Sequence, residues 1–157
     1  ASPSGFQWFD LMDQTPEQIL AKSLVAENKL NKLIDEVKKN NNLKANEIII
    51  GGFSQGCMIT LQTGLKRKDV VNSVIGYSGR IIDTDHLSKN INSRPQIILM
   101  HGDIDQVVSI ESLLEAKDFF NKNNYEIETQ IFKNCEHRIP TEGSSLGLQF
   151  IKKQFNS

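Results

Sequence analysis

The sequence predicts an α/β protein in which helices cover both faces of a mostly parallel β-sheet. Two observations lead to this prediction. Short apolar runs of strand length alternate four times with longer segments that have a helical period, and this alternation is typical of parallel sheets joined by crossover helices. The chain has 157 residues, of which 38% are hydrophobic. A chain of this length and hydrophobic content is typical of one compact domain. We therefore expect a single domain over residues 1–157.

The first predicted element is a long helix that starts at Pro16. Thr15 suits the N-cap, Pro16 suits the first helical position, and Gln18 completes a capping box with Thr15. Apolar residues then recur at helical spacing, and Lys38 and Lys39 suit the negative end of the helix dipole. The run of three asparagines that follows is expected to end the helix.

The remaining elements follow in order along the chain. Four strands are predicted, at 47–51, 72–77, 96–100 and 126–132, and three more helices, at 55–63, 110–121 and 141–155. The last strand alternates apolar and polar residues, as an edge strand does. A polar loop is expected over 78–94, and Pro95, which follows it, marks its end. Active sites of parallel sheets lie at the carboxyl ends of the strands.

Composition argues against several classes of function. Lys and Arg number 18 against 19 Asp and Glu, with no long run of one sign, so we expect no nucleic-acid binding. The longest apolar runs are too short to cross the roughly 30 Å core of a bilayer, and the first seven residues lack the regions of a signal peptide. We expect a cytoplasmic protein with no transmembrane segment. Cys57 and Cys135 form no CxxC pair and are expected to be free thiols.

The strongest chemical signal is the pentapeptide Gly-Phe-Ser-Gln-Gly at 52–56, which has the GxSxG pattern. It lies between a predicted strand and a predicted helix, where a nucleophile elbow belongs. The glycines would allow a sharp turn that presents the Ser54 hydroxyl at the N-terminus of the helix. Backbone N–H groups there, that of Gln55 included, can receive an oxyanion. Without a base and an acid, the same pattern would be only a tight turn.

A candidate base and acid follow in the order Ser, Asp, His that this kind of turn accompanies. Asp105 comes after the third predicted strand and His137 after the fourth. Both are therefore expected beside Ser54, at the carboxyl ends of the strands. His137 would accept the proton of Ser54 as general base. Asp105 would orient the imidazole and stabilise its charged form.

Other residues compete for these roles. Asp103 is a second candidate for the acid, in which case Asp105 would only form a turn. His101, at a strand end, is expected to bond loop backbone rather than to act as a base. A metal-dependent hydrolase would instead use the ligand types of His101, Asp103, Asp105 and His137, but it would need no nucleophilic serine.

Four blocks of sequence resemble those of bacterial carboxylesterases that are similar to acyl-protein thioesterases and lysophospholipases. They are Trp-Phe-Asp at 8–10, Ile-Gly-Gly-Phe-Ser-Gln-Gly at 50–56, Gly-Tyr-Ser-Gly at 76–79 and His-Gly-Asp-Ile-Asp-Gln-Val-Val at 101–108. The resemblance implies an α/β-hydrolase fold and a cytoplasmic serine hydrolase that needs no cofactor. It also implies small acyl esters or thioesters as substrates, with acylated proteins and lysophospholipids among the candidates.

The resemblance also predicts what this sequence lacks. The family places its first strands, and a loop that supplies an oxyanion N–H, before the Trp-Phe-Asp segment, whereas Trp8 here follows only seven residues. We therefore expect an N-terminally truncated hydrolase domain, about the last two thirds of it, with Gln55 as the remaining oxyanion donor. The strand at 47–51 would have an unpaired edge that favours homo-oligomers. The alternative function is a catalytically silent hydrolase fold with a binding or assembly role.

Four further positions are left open. Glu136 stands where the family commonly has Gly, and it would either lie exposed or approach His137 and favour the charged imidazole. Cys57, one helical turn after the serine, is expected to be a packed residue rather than a second nucleophile. Trp8 and Phe9 would either line an acyl pocket or anchor a loop to the core.

Overall fold

The computed structural model describes residues 7–156, which form a parallel sheet with the strand order β1-β2-β3-β4. The strands are β1 (Ile49–Phe53), β2 (Ser73–Tyr77), β3 (Gln96–Gly102) and β4 (Glu128–Phe132). Each neighbouring pair runs parallel, so the carboxyl ends of all four strands lie at the same end of the sheet. The predicted α/β class with a parallel sheet is confirmed. The predictions of a domain over 1–157 and of no signal peptide also involve residues 1–6 and 157, which lie outside the described residues.

Five α-helices accompany these strands in the described part of the chain. They are α1 (Pro16–Asn40), α2 (Gln55–Lys66), α3 (Thr84–Lys89), α4 (Glu111–Lys122) and α5 (Thr141–Phe155). The predicted capping box of α1 is present, because Thr15 Oγ1 accepts from Gln18 N–H and the Gln18 side chain accepts from Thr15 N–H. None of the helices in residues 7–156 is long and apolar enough to cross a membrane.

The predicted loop over 78–94 was wrong in part, because it contains α3. The Asp83 side chain caps this short helix by accepting from the His86 N–H at 2.8 Å. Leu87 is its only buried residue. Six residues with one buried side chain show no apolar period, so the sequence pattern could not reveal the helix.

Two strands begin two residues later than predicted. Residues Ala45–Glu47 form a 3₁₀ turn, so β1 starts at Ile49 and continues through Phe53. β4 starts at Glu128 and lies at the sheet edge that its alternating pattern predicted. β1 occupies the other edge in the described residues, as was expected of the strand before the serine.

Helices cover both faces of the sheet, as predicted. On one face, Ile50, Val74 and Leu99 of the sheet pack with Leu65 of α2 and Phe120 of α4. On the other face, Ile75 of β2, Ile98 and Met100 of β3 and Phe132 of β4 pack with Phe150 of α5. Side chains alternate between the faces of a strand, which explains why neighbouring residues of β2 and β3 belong to separate clusters.

Candidate active site

Ser54 lies in the turn between β1 and α2. Its backbone has φ 57° and ψ −119°, a conformation that residues other than glycine rarely adopt and that functional sites retain despite its cost. The Ser54 N–H donates to Tyr77 O at 2.8 Å, while Ser54 O accepts from the Met58 N–H at 3.2 Å. The turn therefore ties the carboxyl ends of β1 and β2 to the first turn of α2.

Only one of the two glycines in the GxSxG pattern is needed for close packing here. A Cβ on Gly52 would lie 2.2 Å from the backbone carbon of Gly56, so the end of β1 approaches the start of α2 as a nucleophile elbow requires. A Cβ on Gly56 would meet nothing within 4 Å in the described residues. The expectation that both glycines relieve a clash is wrong for Gly56.

The structure brings Ser54, Asp105 and His137 together from three separate loops. His137 Nε2 lies 3.0 Å from Ser54 Oγ, and His137 Nδ1 lies 2.7 Å from Asp105 Oδ2. These distances and this order of contacts match those of a nucleophile, a general base and its orienting acid. The loops after β1, β3 and β4 supply the three residues, so the parallel sheet accounts for their meeting.

Asp105 is held as a buried carboxylate. Its side chain is fully buried, and Oδ1 accepts from the N–H groups of Val107 and Val108 at 2.8 Å each. Burial raises the pKa of Asp105, but the hydrogen bonds from His137, Val108 and Val107 outweigh it and hold the pKa below its usual value. The carboxylate therefore stays charged beside His137 at neutral pH.

His101 bonds loop backbone, as the sequence predicted. Its Nε2 lies 2.7 Å from Val108 O, and a carbonyl oxygen can only accept, so this nitrogen carries a proton. The same Nε2 lies 3.5 Å from Asp105 Oδ2. Sequence reasoning missed this second contact, which places a buried histidine beside the carboxylate that His137 contacts.

Asp103 has a different neighbour. Its Oδ1 accepts from the Cys135 N–H at 3.3 Å, and the backbone of residues 103 and 104 donates to Phe132 O and Cys135 O. Gly102 allows this approach, since a Cβ there would lie 2.2 Å from Cys135 O. These contacts fasten the loop that carries His137 to the end of β3. The geometry thus favours Asp105 over Asp103 as the acid.

An aromatic side chain that sequence reasoning missed adjoins His137. The Phe53 ring lies 4.7 Å from the His137 ring, centroid to centroid, at an angle of 42°. Both line a pocket of about 330 Å³ together with Arg138 and Ile139. Phe53 and Ile139 also line a larger apolar groove of about 650 Å³ between β1 and α5.

Gln55, the first residue of α2, contacts the N-terminal segment through its side chain. Its Nε2 donates to Phe9 O at 2.7 Å, and its Oε1 accepts from the Trp8 N–H at 3.0 Å. Phe9 is buried against Ala26 and Ile59, while the Trp8 side chain is half-exposed. Phe9 therefore anchors this segment to the core. The backbone N–H of Gln55 opens a helix, where no intrahelical acceptor is available to it.

The open positions near the site are resolved in part. Glu136 is exposed, which is the first of its two alternatives. Cys57 is buried, and burial raises the pKa of its thiol to about 12, so it is a packed residue rather than a second nucleophile. Cys57 and Cys135 are both free cysteines, as predicted. Within residues 7–156, no group of three or more His, Cys, Asp or Glu side chains is placed to hold a metal ion.

Comparisons with known proteins find relatives over nearly the whole chain. A profile of the family described as phospholipase/carboxylesterase matches residues 2–155. Acyl-protein thioesterase 1 of Saccharomyces cerevisiae is 32% identical over an alignment of 160 positions, which covers 96% of this chain and 69% of that protein. Acyl-protein thioesterase 1 of Yarrowia lipolytica is 31% identical over an alignment of 158 positions, which covers 98% of this chain and 66% of that protein.

A solved structure, that of esterase PE8, is also similar. It has a TM-score of 0.89 and 28% sequence identity, and the match covers 98% of this chain and 72% of the esterase. The chain spans about two thirds of the length of the curated thioesterases that it matches.

Proposed function

This chain belongs to the phospholipase/carboxylesterase family of α/β-hydrolases, and we propose that it hydrolyses carboxylic esters or thioesters through an acyl-enzyme on Ser54. The family and the fold that the sequence predicted are confirmed by the family match and by the likeness to esterase PE8. One observation carries the proposal above all others. The Ser54 hydroxyl, the His137 imidazole and the Asp105 carboxylate form one chain of hydrogen bonds of 3.0 and 2.7 Å.

In the first half of the reaction, Ser54 Oγ attacks the acyl carbonyl carbon while His137 Nε2 takes the hydroxyl proton. The tetrahedral intermediate collapses when the bond to the alcohol or thiol breaks and His137 returns the proton to the leaving group. In the second half, His137 removes a proton from water, which attacks the acyl–Oγ ester. The carboxylic acid leaves and Ser54 regains its proton.

Asp105 makes this proton transfer effective because it fixes the tautomer of His137. Its Oδ2 accepts from Nδ1–H, which leaves Nε2 free to accept the proton of Ser54. The charge of Asp105 then stabilises the imidazolium that forms. The N–H bonds from Val107 and Val108 hold the carboxylate in place during both steps.

The developing oxyanion is assigned to the backbone N–H of Gln55. This group follows the nucleophile at the N-terminus of α2, where backbone N–H groups and the helix dipole favour negative charge. Losing one oxyanion donor costs about 10² to 10³ in kcat. The absolute rate of the purified chain therefore reports whether a second donor acts beside Gln55.

The names of the relatives support the substrate class that we propose. Relatives of this chain are named acyl-protein thioesterases, so acylated proteins, together with lysophospholipids and small acyl esters, are the substrates we propose. The pocket formed by Phe53, Ile139, Arg138 and His137 lies next to the base, where a leaving group can be received. A cytoplasmic location stays a prediction that cell fractionation can test.

The deciding experiment measures hydrolysis of p-nitrophenyl acetate by the wild-type chain and by Ser54→Ala. Ser88→Ala is the matched control, since Ser88 lies on α3 and its hydroxyl donates to Asp85 O of the same helix. We expect turnover that Ser54→Ala abolishes and Ser88→Ala retains, together with labelling of Ser54 by a fluorophosphonate. Equal background rates in all three proteins would reject the proposal and favour the catalytically silent alternative.

Self-association through the edge of β1 also stays a prediction. In residues 7–156, β1 has a sheet neighbour on one side only, and the groove beside it is lined by apolar residues of β1 and α5. An open strand edge next to apolar surface is prone to pair with another chain. Sedimentation at several protein concentrations would reveal such an assembly.

A further inference from the structure

The side chain of Gln55 joins the residue after Ser54 to a segment 46 residues away in the sequence. A glutamine amide can donate and accept at once, and both functions are used here, toward Phe9 O and the Trp8 N–H. The segment before α1 contains no helix or strand in residues 7–15. Its place beside the turn that carries Ser54 rests on these two bonds, on the buried Phe9 ring and on the partly buried Leu11.

The two aromatic residues of this segment have different environments. Phe9 is 8% exposed and packs in the core, whereas Trp8 is 40% exposed. A segment that is anchored at Phe9 and tied at its backbone to Gln55 leaves the Trp8 indole at the surface next to the turn. An indole ring offers a large and rigid apolar area, which suits contact with a flexible hydrocarbon chain.

The two sequence neighbours of Ser54 make different contacts. The Phe53 ring lies against the ring of His137, which would give a proton to the leaving group, whereas the Gln55 side chain accepts from the Trp8 N–H. The leaving group is therefore expected beside Phe53, and the acyl chain beside Trp8.

We propose that the Gln55 side chain is a positioning residue that holds the Trp8–Phe9 backbone against the oxyanion turn, so that Trp8 forms a wall for the acyl chain. This inference rests on the proposed function, because it describes the acyl side of the same site. It assigns two roles to one residue. The backbone N–H of Gln55 binds the oxyanion, and its side chain places the surface that the acyl chain contacts.

Fluorescence can test the positioning role without any turnover, because Trp8 is the only tryptophan of the chain. Gln55→Leu keeps the backbone N–H and the approximate size but removes both hydrogen bonds. We expect a red-shifted Trp8 emission and about twofold stronger quenching by iodide in this variant. Gln55→Glu, which retains an acceptor for the Trp8 N–H, should show a smaller change.

The matched control for this experiment is Gln130→Leu. Gln130 lies on β4, and its side chain bonds only the exposed backbone of the next residue. It should leave Trp8 emission unchanged, and circular dichroism should show that all variants are folded. Unchanged emission and quenching in folded Gln55→Leu would overturn the positioning role.

The acyl-wall role is tested by binding of dodecanoate to Ser54→Ala, measured by calorimetry below the micelle concentration. We expect Trp8→Ala and Gln55→Leu, each placed in that background, to raise the Kd at least about tenfold, and Gln130→Leu to leave it unchanged. Absence of dodecanoate binding, or an unaltered Kd in Trp8→Ala, would overturn this role. Because this binding requires no catalysis, its result stands even if Ser54-dependent turnover is absent.

A kinetic comparison separates the two roles of Gln55. In Trp8→Ala, KM for p-nitrophenyl decanoate should rise at least about fivefold, with little change for p-nitrophenyl acetate. In Gln55→Leu, kcat should also fall for both esters, because the loosened turn misplaces the oxyanion donor. Equal effects of Trp8→Ala on both esters would contradict the acyl wall.

Discussion

Replacing Asp105 with asparagine should nearly abolish hydrolysis while leaving the fold intact. The amide oxygen of the new side chain can still accept from the N–H groups of Val107 and Val108, which hold the carboxylate now. Its NH₂ group would then face His137 Nδ1, where the carboxylate lies at 2.7 Å. An NH₂ group can only donate, so the imidazole would adopt the tautomer that carries its proton on Nε2.

This tautomer cannot accept the proton of Ser54, because Nε2, 3.0 Å from Oγ, is already protonated. The loss expected from such a change is about 10⁴-fold in kcat, or roughly 5.4 kcal/mol of transition-state stabilisation. The assay is the kcat/KM of p-nitrophenyl acetate at neutral pH. Thermal unfolding of the same samples would verify that the variant is folded.

Asp103→Asn is the matched control. The Asp103 carboxylate accepts from the Cys135 N–H at 3.3 Å, and an amide oxygen can make the same bond, so we expect a loss of less than about fivefold. A loss for Asp103→Asn that equals the loss for Asp105→Asn, or an Asp105→Asn variant within tenfold of wild type, would refute the assignment of Asp105 as the acid.

Three further predictions concern stability and assembly. The hydrogen bond from Arg67 lowers the pKa of Asp69 to about 2. The ionised carboxylate therefore stabilises the folded state above its usual pKa of 3.8, and this stabilisation is lost as the pH falls toward 2. Asp69→Asn should therefore lower the free energy of unfolding at pH 7 but not at pH 2. Because the Asp69 side chain is 39% exposed, we expect a loss of about 1 kcal/mol at most. Gly102→Ala should destabilise the fold by more than about 2 kcal/mol and reduce activity, because its Cβ would lie 2.2 Å from Cys135 O. Leu148→Lys should weaken any self-association, because Leu148 is 59% exposed in the apolar groove beside β1.

Each of these has its own control and contrary result. Urea unfolding at both pH values decides the first, and an Asp69→Asn effect that persists at pH 2 would contradict it. For the second, Gly56→Ala adds a Cβ that meets nothing within 4 Å in the described residues, so equal destabilisation by both changes would refute the packing argument. For the third, Leu114→Lys alters a similarly exposed leucine on α4, and sedimentation should detect no effect of this change.

Most of the fold and the three candidate catalytic residues were predictable from local signals. The capping box of α1, the strand-turn-helix context of Ser54 and the order of Asp105 and His137 after two apolar strands are short-range patterns. A parallel sheet brings the ends of its strands together, so these patterns alone implied that the three side chains meet. The limits of β1 and the presence of α3 were not predictable, because a 3₁₀ turn and a helix with one buried residue leave no periodic signal.

The tertiary structure decided the features that depend on contacts between distant parts of the chain. Asp103 and Asp105 are two residues apart and chemically identical, and only their different partners, the Cys135 N–H and His137, separate them. The contact of His101 with Asp105 and the hold of Gln55 on Trp8 and Phe9 likewise required coordinates. A sequence determines which groups are available and roughly where each element begins, because those depend on neighbours along the chain. Which groups become partners depends on distances of a few ångströms, which only the packed structure sets.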